Sequence, residues 1–307
     1  MTKRLNERGA ILRGIRRFFE ARGFLEVETP ILVPSPGLDV HLDAFELETT
    51  VGASPARYLI TSPEYQMKRL LADGYEKIFQ VTKVFRRGER GARHNPEFTM
   101  LEWYRANASV LDVMRDTEEL VAETTDGKIA LGPRRVLTMP PFPRMTVCEA
   151  FESFARVTPD ETLRLAAEEE DVFFRLLVER VEPKIELLDR PLFLTEYPAT
   201  QASLARNKPD DPRVAERFEL YVAGVELCNG FGELTDPTEQ RARLERDRRE
   251  RKIRGLPVYP LDERFLGALV RGIPESGGNA LGVDRLVALA CGTTNIGDVM
   301  AFTEDEL

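Results

Sequence analysis

FRRGERGARHNPEFTMLEWY, residues 85–104, decides how this chain reads. Two runs, IFQVTKVFR at 78–86 and EFTMLEWY at 97–104, mix β-branched and aromatic residues as strands do, and they flank a charged loop at 87–96. Side chains alternate along a strand, so Phe98, Met100, Glu102 and Tyr104 share one face and Thr99, Leu101 and Trp103 the other. A core cannot take Glu102 unpaired, so its face is expected to line a cavity while Leu101 and Trp103 pack inward. The loop is too long for a tight hairpin, and Gly88 and Gly91 leave it free to close over a ligand. A charged loop is ordinarily a solvated turn. Three other segments change that reading.

GFLEVETPIL at 23–32 follows an amphipathic stretch with Leu5, Leu12, Ile15 and Phe19 on its apolar side and Gly23 as its C-cap. ELCNGFGE at 226–233 sets two carboxylates around Asn-Gly. GGNALGVDR at 277–285 puts glycines, which permit close backbone approach, ahead of an arginine that opens the apolar run LVALA. In this order the segments resemble motifs 1, 2 and 3 of the class II aminoacyl-tRNA synthetases. Gly23, Phe24, Val27 and Pro30 match motif 1, Phe85 and Arg86 through Phe98 match motif 2, and Gly278, Gly282 and Arg285 match motif 3. The turn Thr61-Ser62-Pro63-Glu64, the run HNPEFTMLEWY and ELCNGFGEL are similar to the lysyl branch, and the likeness covers nearly the whole chain. It implies an α+β fold, a mainly antiparallel β-sheet flanked by helices, and a homodimer formed through motif 1.

A chain of 307 residues holds one such catalytic domain, residues 1–307. A full lysyl enzyme would place an anticodon-binding barrel ahead of it. Motif 1 begins by residue 23, so no barrel is expected. Freestanding members of this branch place (R)-β-lysine on a lysine of elongation factor P, and SPEYQMKRLL, PATQASLA and RVAERFELYVAGVELCNGF agree with them. The resemblance therefore implies that factor as partner, lysine or (R)-β-lysine as substrate, and ATP with Mg²⁺ as cofactors.

Local signals fill in the rest. Ser109 with Asp112 and Thr146 with Glu149 are capping pairs, and Asp236, Pro237 and Glu239 start a long helix. Strands are expected at 192–197, 218–222 and 225–231, with a turn at Ala223-Gly224, and the acidic region 128–190 is expected to hold three helices as an insertion outside the sheet. The run RARLERDRRERK reads as a solvated helix face or, alternatively, as contact with an acidic partner. A net charge of -9 gives no polycationic surface, which counts mildly against tRNA. Cys148, Cys228 and Cys291 lack CxxC spacing and read as reduced, buried thiols. With no leader and no membrane-spanning run, a soluble cytoplasmic protein is expected.

Activating an amino acid requires its carboxylate, already ionised at neutral pH, to attack the α-phosphate of ATP. No general base is needed, in keeping with only two histidines, His41 and His94. The reaction needs positive charge on the phosphate oxygens and correct placement of both reactants. Arg86, at a strand end, is the expected catalytic group at the α-phosphate. Arg285 is expected to hold the γ-phosphate and stack on adenine, with Phe98 on the opposite adenine face.

The resemblance adds Arg87, Gly88 and Asn95 at the adenine edge and Leu227 and Gly282 at ATP. It carries Glu226 to ATP and metal, and Glu233 to metal or the substrate amine. Two carboxylates with a triphosphate suit Mg²⁺, although either could pair with an arginine instead. Ser62, Pro63, Glu64, Tyr104 and Asn229 match substrate positions, and Glu102 is expected beside them. Lysyl enzymes carry Asn-Glu after the motif 2 arginine; here Arg87-Gly88 follow, and the first acid is Glu89. They also have glycine where Ala280 stands, and the extra methyl would crowd an α-amino group more than one on the β-carbon. A lysyl-tRNA synthetase-like enzyme using α-lysine, an asparagine synthetase-like relative and a non-catalytic binding module are the alternatives. The retained arginines and acids favour catalysis.

Overall fold

The computed structural model describes residues 4–47 and 56–307. Eight strands form its central sheet: β1 Leu25–Glu26, β2 Lys77–Phe85, β3 Glu97–Ala106, β4 Arg144–Thr146, β5 Leu192–Thr195, β6 Arg217–Val222, β7 Val225–Gly232 and β8 Ser276–Gly282. Across the sheet they run β1-β2-β3-β8-β7-β6-β5-β4. The two edge pairings, β1 with β2 and β5 with β4, are parallel. The pairings between them are antiparallel, as the sequence leads one to expect.

Alternation along β2 and β3 decides which side is core. Phe79, Leu101 and Trp103 point to one face, where Phe218, Leu220 and Leu281 join them. Helices α1 (Leu5–Glu20), α3 (Val110–Thr124) and α6 (Val283–Ala290) cover that face with Ile15, Phe18, Phe19, Val113, Leu286 and Val287. Gly23 closes α1 with a φ of 77°, a left-handed conformation that costs glycine little, and the Phe24 N–H reaches back to Phe19 O at 3.0 Å. On the opposite face, α2 (Glu64–Ala72), α4 (Pro237–Ile253) and α5 (Glu263–Arg271) pack Tyr65, Met67, Leu244 and Phe265 around Ile78 and Tyr104. That face carries the cleft.

The segment 128–190 departs from the helical expectation at its start. Lys128–Leu131 and Arg134–Leu137 pair as a hairpin with Ile129 and Val136 buried, and β4 extends the sheet. Helical turns then run from Val147, behind the Thr146–Glu149 capping box, to Glu186. They pack Phe151, Phe173 and Val181 against Leu194 and Tyr197 in a cluster of their own.

Helix α4 corrects a second expectation, that of a solvated charged face. Arg251 is fully buried and donates to Pro257 O (2.6 Å), Asp39 O (2.5 Å), Leu42 O (2.9 Å) and Asp43 Oδ1 (2.6 Å). Arg243 donates to Ala202 O (2.7 Å) and Ala205 O (2.8 Å). Burial is tolerable because these guanidinium donors find acceptors. The three cysteines are free thiols, with Cys228 buried and Cys148 and Cys291 partly exposed. Among the described residues, no helix is long and apolar enough to cross a membrane.

Candidate active site

Residues directly opposed on neighbouring strands share a face. Glu102 opposes Ala280, Ala280 opposes Asn229, and Asn229 opposes Glu219, which makes one row across β3, β8, β7 and β6. The next row on that face is Tyr104, Gly278, Phe231 and Arg217. In the other direction come Met100 opposite Gly282 and, two residues further on, Phe98. These rows underlie a cleft of about 570 Å³ whose wall includes Ser62, Glu64, Arg86, Glu89, His94 and Arg285. Phe98 and Tyr104 lie six residues apart on β3, about 20 Å at a strand's rise per residue. The row from aromatic to acidic end is long enough for a nucleotide and an amino acid.

At the aromatic end the Arg86 guanidinium lies 5.1 Å from the centroid of the Phe98 ring. Its Nε donates to Thr61 O at 3.4 Å, and a terminal nitrogen lies 3.6 Å from Glu89 Oε1. Glu89 thus stands beside the strand-end arginine even though Arg87-Gly88 separate it from the position lysyl enzymes use. Arg285, on α6 just past Gly282, donates to Glu226 O (2.8 Å) and Arg93 O (3.2 Å) and lies 3.5 Å from Glu226 Oε2. Its other terminal nitrogen is 2.7 Å from His94 Nε2. Burial and the Arg285 charge lower the His94 pKa, so a neutral ring accepts this bond.

The expected acid pair, Glu226 with Glu233, is not brought together. Seven residues of extended chain place them about 23 Å apart. Glu219 is the carboxylate beside Glu226. β6 and β7 pair in step until Leu220 opposite Cys228, then shift so that Tyr221 opposes Glu226, leaving Leu227 as an extra residue. Paired in step, Leu227 would oppose Tyr221 and turn Glu226 to the core side; as an unmatched residue it leaves Glu226 on the cleft face with Glu219 and Tyr221. Loss of water around it in the cleft, although 42% of its side-chain surface stays open, and then the charge of Glu219 raise the Glu226 pKa, opposed by Arg285 and Arg86. Glu219 is held by Arg217 (2.6 Å) and by the hydroxyls of Tyr197 (2.5 Å) and Tyr221 (2.9 Å).

At the acidic end, Ser62 Oγ donates to Glu102 Oε1 (2.6 Å) and Tyr104 OH donates to Glu102 Oε2 (2.9 Å). Burial, then the charge of Glu64, pushes the Glu102 carboxyl up to about 8. Pro63 precedes α2, and Glu64 opens that helix at the cleft wall. One turn on, buried Lys68 puts its ammonium 2.5 Å from Glu64 Oε1 and 2.5 Å from Glu233 Oε2. Gly278 makes this packing possible, since a Cβ there would lie 2.4 Å from the Tyr104 ring and 2.5 Å from Glu233 Oε1.

Some expected residues lie off the cleft, while Asn95 and Leu227 border it with their side chains engaged elsewhere. Arg87 turns outward to Asp43 Oδ2 at 3.2 Å, and Gly88 stands in the open part of the loop with a φ of 87°. Both amide atoms of Asn95 are engaged: Nδ2 donates to Glu97 O (2.7 Å), and Oδ1 accepts from the Glu304 N–H (2.9 Å). Leu227 borders the cleft but buries its side chain in the core. Glu102, Tyr104 and Glu233 lie behind the wall formed by Ser62, Glu64, Asn229, Phe231 and Ala280.

A family model described as tRNA synthetases class II (D, K and N) matches residues 1–306. The chain belongs to the class II tRNA synthetase family. Among similar proteins is the elongation factor P (R)-β-lysine ligase of Klebsiella pneumoniae strain 342, 45% identical over 98% of this chain and 95% of that protein. Proteins of the same name from Salmonella agona and Salmonella heidelberg are each 44% identical over 98% of this chain and 95% of their own.

Within this class II domain, sequence reasoning missed Glu219, Arg217 and Lys68. Glu219 had a signal: in RFELYV it is a lone carboxylate inside an apolar strand, as Glu102 is in TMLEWY. Lys68 had none, because a lysine in an amphipathic helix ordinarily faces solvent.

Proposed function

We propose that the chain, with residues 1–307 acting as one catalytic domain, is an AMP-forming ligase that activates (R)-β-lysine with ATP and transfers it to a lysine of elongation factor P. The observation that carries this reading is one cleft combining Arg86 and Arg285 with an acid-lined pocket at the other end of the same strand rows. Similarity to ligases of that name, at 45% identity, supports the substrate and the acceptor. The three free cysteines support a cytoplasmic setting.

In the first step a carboxylate oxygen of the amino acid bonds to the α-phosphorus, the bond from that phosphorus to the bridging oxygen breaks, and pyrophosphate leaves. In the second the neutral amine of the acceptor lysine attacks the acyl carbon, AMP departs, and the amine proton passes to solvent. Arg86 neutralises charge on the α-phosphate and orients the attacking carboxylate through its planar fork. Arg285 takes the γ-phosphate, and its guanidinium with the Phe98 ring encloses adenine. Arg87 and Gly88 keep loop-shaping roles, and Asn95 borders the cleft at the adenine edge. Magnesium fits Glu219 and Glu226, two acids on one cleft face with the Glu226 side chain 42% exposed. When bound, it neutralises triphosphate charge.

Ser62, Glu64 and Asn229 contact the diamino acid, and Glu102, Tyr104 and Glu233 hold that wall from behind, Glu102 through Ser62 and Glu233 through Lys68. Ala280 stands in the row between Glu102 and Asn229, where its methyl restricts an α-amino group. Such a group discriminates by about 1–3 kcal/mol. A homodimer is supported by edge strand β1 and by Leu25, Ile31 and Leu32, which are 50%, 38% and 49% exposed.

Pyrophosphate exchange is expected to run faster with (R)-β-lysine than with α-lysine, and equal rates would remove the isomer preference. Intact-mass analysis of elongation factor P incubated with ATP, (R)-β-lysine and the chain is expected to gain one β-lysyl group. Absence of that gain would remove the acceptor.

A further inference from the structure

Behind the acidic end of the cleft, three carboxylates share one resident cation. Glu64 stands at the wall, Glu233 and Glu102 stand behind it, and the Lys68 ammonium bridges Glu64 and Glu233 at 2.5 Å each. Lys68 and Glu233 are each 1% exposed, so water does not screen this pair. Glu233 Oε1 has no hydrogen-bond partner among the described residues. Tyr104 and Arg206 complete the surroundings, Tyr104 through its bond to Glu102 and Arg206 by its charge near Glu233.

We propose that Lys68 is a positioning residue of the amino-acid pocket: it compensates the buried carboxylate of Glu233 and fixes Glu64 at the wall, so that the pocket accepts the ammonium groups of a diamino acid. This rests on the functional reading above and names what sets the charge of its substrate pocket. Lys68 offsets one of the two carboxylates that it bridges, and the other is left for an ammonium group of the substrate. Burial works against the charge of Lys68, but Glu233 and Glu64 outweigh it and raise its pKa, so it is an ammonium at any working pH. Burial raises the Glu233 carboxyl while Lys68 pulls it down. Without Lys68, the buried Glu233 carboxyl would keep its proton at neutral pH. An incoming ammonium group would then have to displace that proton.

The test is steady-state pyrophosphate exchange by the full chain, with both substrates varied from pH 7 to 9. In Lys68→Met the KM for (R)-β-lysine is expected to rise at least about tenfold at pH 7 and to fall towards the wild-type value as pH rises, with the KM for ATP within about twofold. Lys68→Arg is expected to restore most of the loss. The double variant Lys68→Met with Glu233→Gln removes cation and excess acid together, so it is expected to fold even if the single variant does not and to return the KM to within about threefold of wild type. The proposal is overturned by an unchanged amino-acid KM, by a rise matched in the KM for ATP, by a loss independent of pH, or by a folded double variant that stays impaired. Wild-type chain inactive with both lysine isomers would instead remove the functional reading, so the two failures are separable.

Discussion

Glu226 stands diagonally across from Glu219 because Leu227 is one residue more than the partner strand can match. Diagonal neighbours in an antiparallel pair lie about 7–8 Å apart, within reach of a shared cation for two glutamates. Glu233, just past the end of the same strand, instead answers to Lys68. A single unmatched residue therefore assigns three carboxylates to two different tasks.

The two tasks separate in a magnesium titration of pyrophosphate exchange. Glu219→Gln is expected to raise the half-saturating magnesium concentration several-fold, whereas Glu233→Gln is expected to leave it unchanged. The reverse pattern would reinstate Glu226 with Glu233 as the metal pair.

Replacing Arg86 with Ala should lower the exchange rate by at least about 10²–10³-fold, the scale for losing a preorganised group at a charged transition state. Circular dichroism and the unfolding midpoint should stay near wild type, because its contacts are one 3.4 Å bond to Thr61, the Phe98 ring and a loose pair with Glu89. Substantial residual exchange would show that another group carries the α-phosphate.

Gly278→Ala pushes a methyl against the Tyr104 ring and Glu233. Overpacking of this kind costs about 1–3 kcal/mol, readable as a lower urea midpoint. The KM for the amino acid should rise with it, since the clash lies directly behind the pocket.

Glu102 gives the empty protein a pH signature. Its carboxyl is raised to about 8 in the folded state, chiefly by burial, so between the unfolded value and about 8 the folded chain binds the extra proton. The stabilisation is fully present below the unfolded pKa and is lost as pH rises through about 8, at no more than about 1.4 kcal/mol per pH unit for one proton. Glu102→Gln keeps the shape without the ionisation, so its stability between pH 5 and 8 should fall less with rising pH than that of the wild type. Denaturation midpoints across that range check it; parallel slopes would place the proton elsewhere.

What could be read in advance was local or periodic. Capping pairs such as Ser109 with Asp112 declare themselves over three residues, and the structure forms that box with Asp112 on both Ser109 groups. The alternation of EFTMLEWY fixes which side of β3 is core. The bulge at Leu227 was not legible, because register depends on what the partner strand presents and a slip of one changes every face. Lys68 and Arg251 escaped for a related reason: a buried cation is revealed only by acceptors far away in sequence. The hairpin at 128–137 was hidden within an acidic stretch whose later part is helical.

Asp43 links helix α4 to the loop at 87–96. Its carboxylate receives Arg251 from α4 at 2.6 Å and Arg87 from the loop at 87–96 at 3.2 Å, and its carbonyl takes the Arg87 N–H at 2.7 Å. The segment at 39–43 and the loop at 87–96 are thus pinned to one point of helix α4. They should open as a unit: native-state hydrogen exchange at 39–43 and 87–96 is expected to share one opening free energy, and Arg251→Met should speed both together. Admission of ATP and release of AMP would then be governed by the same fluctuation that exposes the amino acid, giving the two substrates a common gate.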